Sequence, residues 1–167
     1  MTLTLILLRH AKSGWDDPTL ADHDRTLNAR GRRDAPALGH WLAAQGHLPD
    51  LILCSDAERT TQTVDLMLTG ARADVPVRHL PQFYNASPDM LLRHIRKQGD
   101  TATLLVCAHN PGIGELAHHL VTTAPDHARF ADYPTAATTV ITFNVASWAD
   151  IAQGDCTAFV IPADLSD

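Results

Sequence analysis

Cysteine is scarce in this chain: Cys54, Cys107 and Cys156 are its three thiols among 167 residues. An odd and small number of thiols cannot supply the paired bridges that staple small secreted domains, and two of these lie in apolar runs. They are expected to be reduced core thiols in a cytoplasmic protein. Basic charge is short as well, with 13 Lys and Arg against 19 Asp and Glu and a formal net charge of -6. Nucleic-acid backbones are met by basic domains or stripes, so no nucleic-acid partner is expected, and any anion must be caught locally. Long hydrophobic runs are missing too. The opening apolar run, Leu3 to Leu8, stops at Arg9-His10, far short of the ~20 residues of a membrane span. No basic leader precedes it, so neither a signal peptide nor a membrane partner is expected. Internal repeats and low-complexity tracts are absent. His118, His119 and His127 do not form a metal-binding pattern, because adjacent helical residues point about 100° apart, unlike an i, i+4 pair. No metal or cofactor is expected.

What the chain does contain is ordinary globular material, with 45% apolar and 19% charged residues. At this length a single domain spanning residues 1–167 is expected. Short, nearly continuous apolar runs predict buried strands at Leu3 to Leu8, Leu51 to Cys54 and Thr103 to Ala108. Between them, helical spacing of Leu38, Trp41 and Leu42 predicts a helix from an Asn28 N-cap to about Gln45, stopped by Gly46. Further helices are predicted from the Ser55-Asp56-Ala57-Glu58 segment to Leu68, from Pro88 to Gln98, and from about Gly114 to Val121. Val75 to Leu80 reads as a short strand, as do Thr138 to Asn144 and Cys156 to Pro162. Ala11 to Thr26 and Ala124 to Pro134 read as loops. Strands alternating with helices predict an α/β fold, a three-layer α/β/α sandwich around a mostly parallel sheet. No helix separates the last two strands, which leaves room for a mixed sheet.

Ligands of α/β sheets collect beyond the carboxyl ends of the strands, so polar residues just after the buried runs are the first candidates. Arg9-His10 follows the first run, Ser55 to Arg59 the second, and His109-Asn110 the third. Each has a plainer reading taken alone: a capped strand end, a solvated helix charge, a turn residue. Taken together they offer two guanidiniums and two imidazoles at one edge. Arginine forks pair bidentately with phosphoryl oxygens, and a neutral imidazole attacks phosphorus, so the set suits phosphoryl chemistry.

Three motifs carry a resemblance to the histidine phosphatase superfamily. Arg9-His10-Ala11 stands where that family has Arg-His-Gly at the end of its first strand. Ser55-Asp56-Ala57-Glu58-Arg59-Thr60-Thr61-Gln62-Thr63 completes its second signature, and His109 in Val106-Cys107-Ala108-His109-Asn110 corresponds to its second histidine. Arg9-His10-Ala11-Lys12-Ser13 further resembles the SixA-type phosphohistidine phosphatases. The resemblance implies a phosphoglycerate mutase-like fold, His10 as nucleophile, Arg9, Arg59 and His109 as ligands of the phosphoryl oxygens, and no metal or cofactor. It has one gap. The mutase-like and broad-specificity branches carry a glutamate as general acid, and Phe83 to Met90 contains none. Asp22 and Asp24, in the loop near the nucleophile, are the candidate substitutes, against the plainer reading that they tune charge beside Arg25.

The expected substrate is phosphohistidine borne on a protein, because an imidazole leaves more readily than an alkoxide and because the spacing from Arg59 to His109 leaves little chain for a lid. A small phosphomonoester is the alternative substrate, and a non-catalytic phosphate-binding module a third reading. Trp15, Phe83 and Tyr84 either line a substrate rim or pack in the core. The oligomeric state is not legible, and a monomer is the default expectation.

Overall fold

The computed structural model describes residues 2–165 and contains six strands and five helices. Strand β1 (Leu3–Arg9) buries Leu5, Ile6, Leu7 and Leu8 completely. Its side chains alternate between two cores. Leu5 and Leu7 face one, with Leu53, Leu104 and Val106, and Ile6 and Leu8 face the other, with Ile52, Leu105 and Cys107. A strand apolar on both sides is what a sheet covered on both faces requires.

The strand order is β3-β2-β4-β1-β5-β6. β2 (Leu51–Ser55), β3 (Val77–Leu80) and β4 (Thr103–Ala108) run parallel with β1. β5 (Thr138–Phe143) is antiparallel to both β1 and β6 (Asp155–Val160), so the sheet is mixed at one side. Helices α1 (Ala29–Ala44) and α2 (Glu58–Ala71) contribute Leu38, Leu42, Val64 and Met67 to one core, and Leu165 of the short α5 (Pro162–Leu165) packs against it. α3 (Pro88–Arg96) and α4 (Gly112–Leu120) contribute Leu91, Ile95, Ile113 and Leu116 to the other. The result is the expected three-layer α/β/α sandwich. Backbones of α1 and α2 touch at Gly39, where a Cβ would lie 1.8 Å from the Met67 carbonyl oxygen.

Several local expectations hold. Asn28 caps α1, its side chain accepting from the Gly31 N–H at 3.0 Å, and Ser87 caps α3 with Pro88 in the first turn. Gly46 takes a positive φ of 74° after α1. Other boundaries shift: β3 starts at Val77 rather than Val75, α3 ends at Arg96 rather than Gln98, and β6 ends at Val160 before Pro162 opens α5. Ser55 belongs to β2 rather than to the helix, because its ladder with β3 continues to the Ser55–Leu80 pair, and α2 starts only at Glu58. α2 also runs to Ala71, three residues beyond the predicted end, closing on Arg72 in the left-handed region at φ 54°. Among the described residues no helix is long and apolar enough to cross a membrane.

The topology places the three polar junctions together. β2, β4 and β1 are adjacent and parallel, so their carboxyl ends, with Ser55, Ala108 and Arg9, lie at one edge of the sheet.

Candidate active site

His10 follows β1 with its backbone pinned on both sides. Its N–H donates to the Ala108 carbonyl of β4 at 3.2 Å, and its own carbonyl accepts from the Ala136 N–H at 2.9 Å. The side chain is buried, and Nδ1 lies 2.7 Å from the Ala11 carbonyl oxygen. A carbonyl only accepts, so Nδ1 carries the proton and Nε2 of the neutral ring carries the lone pair. Burial, reinforced by His109, Arg9 and Arg59 nearby, lowers the His10 pKa to about 3. The ring is therefore an unprotonated nucleophile at neutral pH. Ala11, which replaces a glycine in the motif, is not among the residues of positive φ, so a methyl side chain is accommodated without backbone strain.

The second motif explains itself residue by residue. Ser55 Oγ lies 2.8 Å from His109 Nε2 and accepts from the Ala57 N–H. Thr60 Oγ1 bonds the carbonyls of Ser55 and Ala57, fixing the turn that aims Arg59. Gln62 Oε1 accepts from the Leu27 N–H, and Thr63 Oγ1 accepts from the Ala11 N–H at 3.0 Å. One face of α2 thus holds the loop that follows the nucleophile. Gly31 of α1 closes on the same loop, where a Cβ would sit 2.1 Å from the Lys12 carbonyl oxygen.

His109 packs 5.3 Å from His10, ring centre to ring centre. Burial, and then the Arg59 charge, lowers its pKa to about 4. Its buried Nδ1 has no hydrogen-bond partner, and neither does the buried Nε of Arg9. The buried Ser55 hydroxyl already accepts from the Ala57 N–H and has no other acceptor for its own proton among the described residues, so it donates to Nε2 and His109 Nδ1 bears the proton. Two buried donors unmatched by protein acceptors suit the oxygens of a phosphoryl group. Arg9 otherwise donates through Nη1 to the Tyr133 carbonyl at 3.1 Å.

Arg59 is 5% exposed, and both its terminal nitrogens are engaged by Asp22: Nη1 with the main-chain oxygen at 2.7 Å, Nη2 with Oδ2 at 3.1 Å. Asp22 also accepts from the Tyr84 hydroxyl and from Arg25 Nη1. These donors, the Tyr84 hydroxyl first, hold its carboxyl down to about 2. Asp22 is therefore an anion at neutral pH, and a phosphoryl oxygen reaching Arg59 competes with it. Asp24, the other carboxylate expected here, is 64% exposed and lies 3.7 Å from His23 Nδ1; among the described residues it makes no hydrogen bond or ion pair with Arg9, His10, Arg59 or His109.

Of the three aromatics, Phe83 is fully buried in the core, Tyr84 packs edge-on against His109 at 5.6 Å, and Trp15 is 66% exposed beneath the Arg25 guanidinium. Trp15, Arg25, Arg9, His10, Arg59 and His109 line one open cavity of about 470 Å³. Sequence reading overlooked Ser55 as the partner of His109, for which the first position of the second motif was a signal, and Tyr84 as the partner of Asp22, for which there was none; Arg25 pairs with Asp22, as the plainer reading of that loop allowed.

Residues 5–87 match the histidine phosphatase superfamily (branch 1). An uncharacterized protein of Mycobacterium tuberculosis is 38% identical over 159 residues, covering 92% of this chain and 96% of that one. A solved structure from Nakamurella multipartitia, assigned as a SixA phosphohistidine phosphatase, is 30% identical, superposes with a TM-score of 0.79 and covers 97% of each chain. The chain belongs to the histidine phosphatase superfamily. The protein histidine phosphatase SixA complexed with tungstate, at 18% identity, has the same fold with a TM-score of 0.80, covering 98% of this chain and 100% of that one. This histidine phosphatase thus acts on phosphorylated substrates. Among its described residues no group of three or more His, Cys, Asp or Glu is placed to hold a metal ion. His118 bonds the Gly114 carbonyl of its own helix, and His127 pairs with Asp164.

Proposed function

We propose that this phosphatase hydrolyses phosphohistidine carried on a protein, through a covalent phosphohistidine on His10. The observation that carries the reading is the pairing of a neutral nucleophile with an ionised neighbour: His10 Nε2 bears a lone pair, while the carboxylate bonded to Arg59, Asp22, has already lost its proton. An alkoxide leaving group needs a proton in the transition state, and Asp22 held near 2 does not store one. An imidazole protonated on its other nitrogen leaves as a neutral ring and needs no such donor.

In the first step His10 Nε2 attacks phosphorus in line, the bond from phosphorus to the substrate's ring nitrogen breaks, and its electron pair returns to that ring. Arg9, Arg59 and the Nδ1–H of His109 balance charge on the equatorial oxygens. Phosphorylation at Nε2 leaves a positive ring on His10, and the Nδ1–H bond to the Ala11 carbonyl stabilises it. Water then attacks phosphorus, the P–Nε2 bond breaks with its electron pair returning to the His10 ring, the water protons leave with dihydrogen phosphate, and His10 returns to its neutral form with Nδ1 still protonated. The cavity is open to solvent, and the exposed Trp15 on its lining supports a substrate presented on a protein surface.

Rapid-quench mixing with a phosphohistidine peptide tests the reading. A transient acid-labile phosphoenzyme is expected, absent in His10→Ala, together with higher kcat/KM for the peptide than for alkyl phosphates. A preference for alkyl phosphates would shift the assignment to a small-molecule phosphomonoesterase, and full activity of His10→Ala would overturn the mechanism.

A further inference from the structure

Beside the nucleophile's cavity lies a second recess, of about 240 Å³, to which Arg9, Lys12, Arg30 and Arg129 bring four cations and Asp132 the one carboxylate. It shares Arg9, Lys12 and Thr135 with the larger cavity, so the two openings form a continuous cationic surface. Lys12 is exposed, and among the described residues its ammonium has no ion pair or hydrogen bond. Asp132 is committed to Arg129, with Nε at 3.0 Å and Nη2 at 2.9 Å from its Oδ2. Among the described residues Arg30 pairs with Asp34 alone, at 3.5 Å, and its side chain remains 57% exposed. In a chain with a net charge of -6, such a surplus of positive charge is a local feature that focuses the field onto one approach to His10.

The chemistry of the first site does not account for it. Arg9 serves the scissile phosphoryl group, whereas Arg30 and Arg129 line the second recess and not the nucleophile's cavity. We infer that this recess is a second anion subsite, taking a carboxylate or phosphate that the substrate carries close to its scissile phosphoryl group. Arginine forks and a free ammonium suit both anions. On a phosphoprotein the second anion is an acidic side chain flanking the phosphorylated residue; on a small substrate it is a second phosphate. The inference extends the proposed phosphatase reaction without depending on the phosphohistidine assignment.

Two matched substrate series test it: phosphohistidine peptides with Asp and Glu or with Asn and Gln as flanking residues, and alkyl monophosphates with or without a second phosphate. Wild type is expected to prefer the doubly anionic member of at least one series by about fivefold in kcat/KM, mostly through KM, as exposed charge pairs allow. The preference should shrink in about 0.5 M salt, where the screening length falls to a few ångströms. Arg30→Gln with Arg129→Gln should abolish it while turnover of the singly anionic member stays unchanged, and Arg30→Gln alone should lower it in part. A preference only among peptides assigns the subsite to acidic protein surfaces, and one only among the monophosphates assigns it to small substrates. Should the peptides not be turned over while the second phosphate still favours the alkyl series, the subsite stands and the phosphohistidine reading falls. Absence of preference in both series, or a preference unmoved by the variants, overturns the inference.

Discussion

Asp22→Asn separates the two roles of a carboxylate that sits on the arginine a phosphoryl group needs. The substitution keeps the shape and the main-chain bond to Arg59 Nη1 at 2.7 Å, and removes the charge facing Arg59, Arg25 and Tyr84. Folding lowers the Asp22 pKa to about 2. A depressed carboxyl adds stability that is present above its unfolded pKa, near 4, and lost as pH falls through its folded value. Converted in full the shift would be worth roughly 2 kcal/mol. Its side chain is 44% exposed, however, and solvent screening reduces the contribution to about 1 kcal/mol. At pH 7 the variant should therefore melt about 2–4 °C lower than wild type. The same charge opposes an incoming phosphate, so its removal should tighten phosphate binding by about fivefold, the equivalent of roughly 1 kcal/mol. The assay is the inhibition constant of inorganic phosphate against p-nitrophenyl phosphate, measured beside calorimetry. Equal or weaker phosphate inhibition in a variant whose melting point has fallen would refute the competition between Asp22 and phosphate for Arg59.

Arg59→Ala should lower kcat/KM by about a hundredfold or more, whereas Arg72→Ala, at the C-cap of α2, should leave it unchanged; similar kinetics would contradict the site. Ser55→Ala removes the partner of His109 Nε2 and should cost about tenfold in kcat with little change in KM. It should add nothing in a His109→Ala background, and an additive loss there would show that Ser55 acts elsewhere. Stability should fall between pH 7 and pH 5: His10 and His109 keep pKa values of about 3 and 4 when folded, while the unfolded chain takes up protons near 6.5. Urea midpoints at the two pH values check this, and replacing both histidines by Gln should flatten the dependence; a wild-type midpoint that does not move would contradict it. Turnover should survive exhaustive EDTA treatment, and a loss restored by zinc or magnesium would require a metal in the reaction.

Much of this protein was written in local pattern. The apolar run from Leu3 to Leu8 could be satisfied only by a strand covered on both faces, and the Asn28 cap announced α1. Polar residues placed directly after three buried runs, Arg9-His10, Ser55 to Arg59 and His109, marked the edge where chemistry gathers, because parallel strands send their carboxyl ends the same way. Those are short-range signals, set by burial and by backbone hydrogen bonding. What tertiary structure alone decided depends on contacts between distant segments. The tautomer of His10 follows from a carbonyl whose own N–H is held by Thr63, 52 residues on. The protonation of Asp22 follows from Tyr84 and Arg59, 62 and 37 residues away. Asp22 and Asp24 looked alike in the sequence, since a loop without periodicity does not reveal which carboxylate turns inward. Only folding, by setting Asp22 against Arg59 and leaving Asp24 in solvent, gave them different surroundings and hence different reach and chemistry.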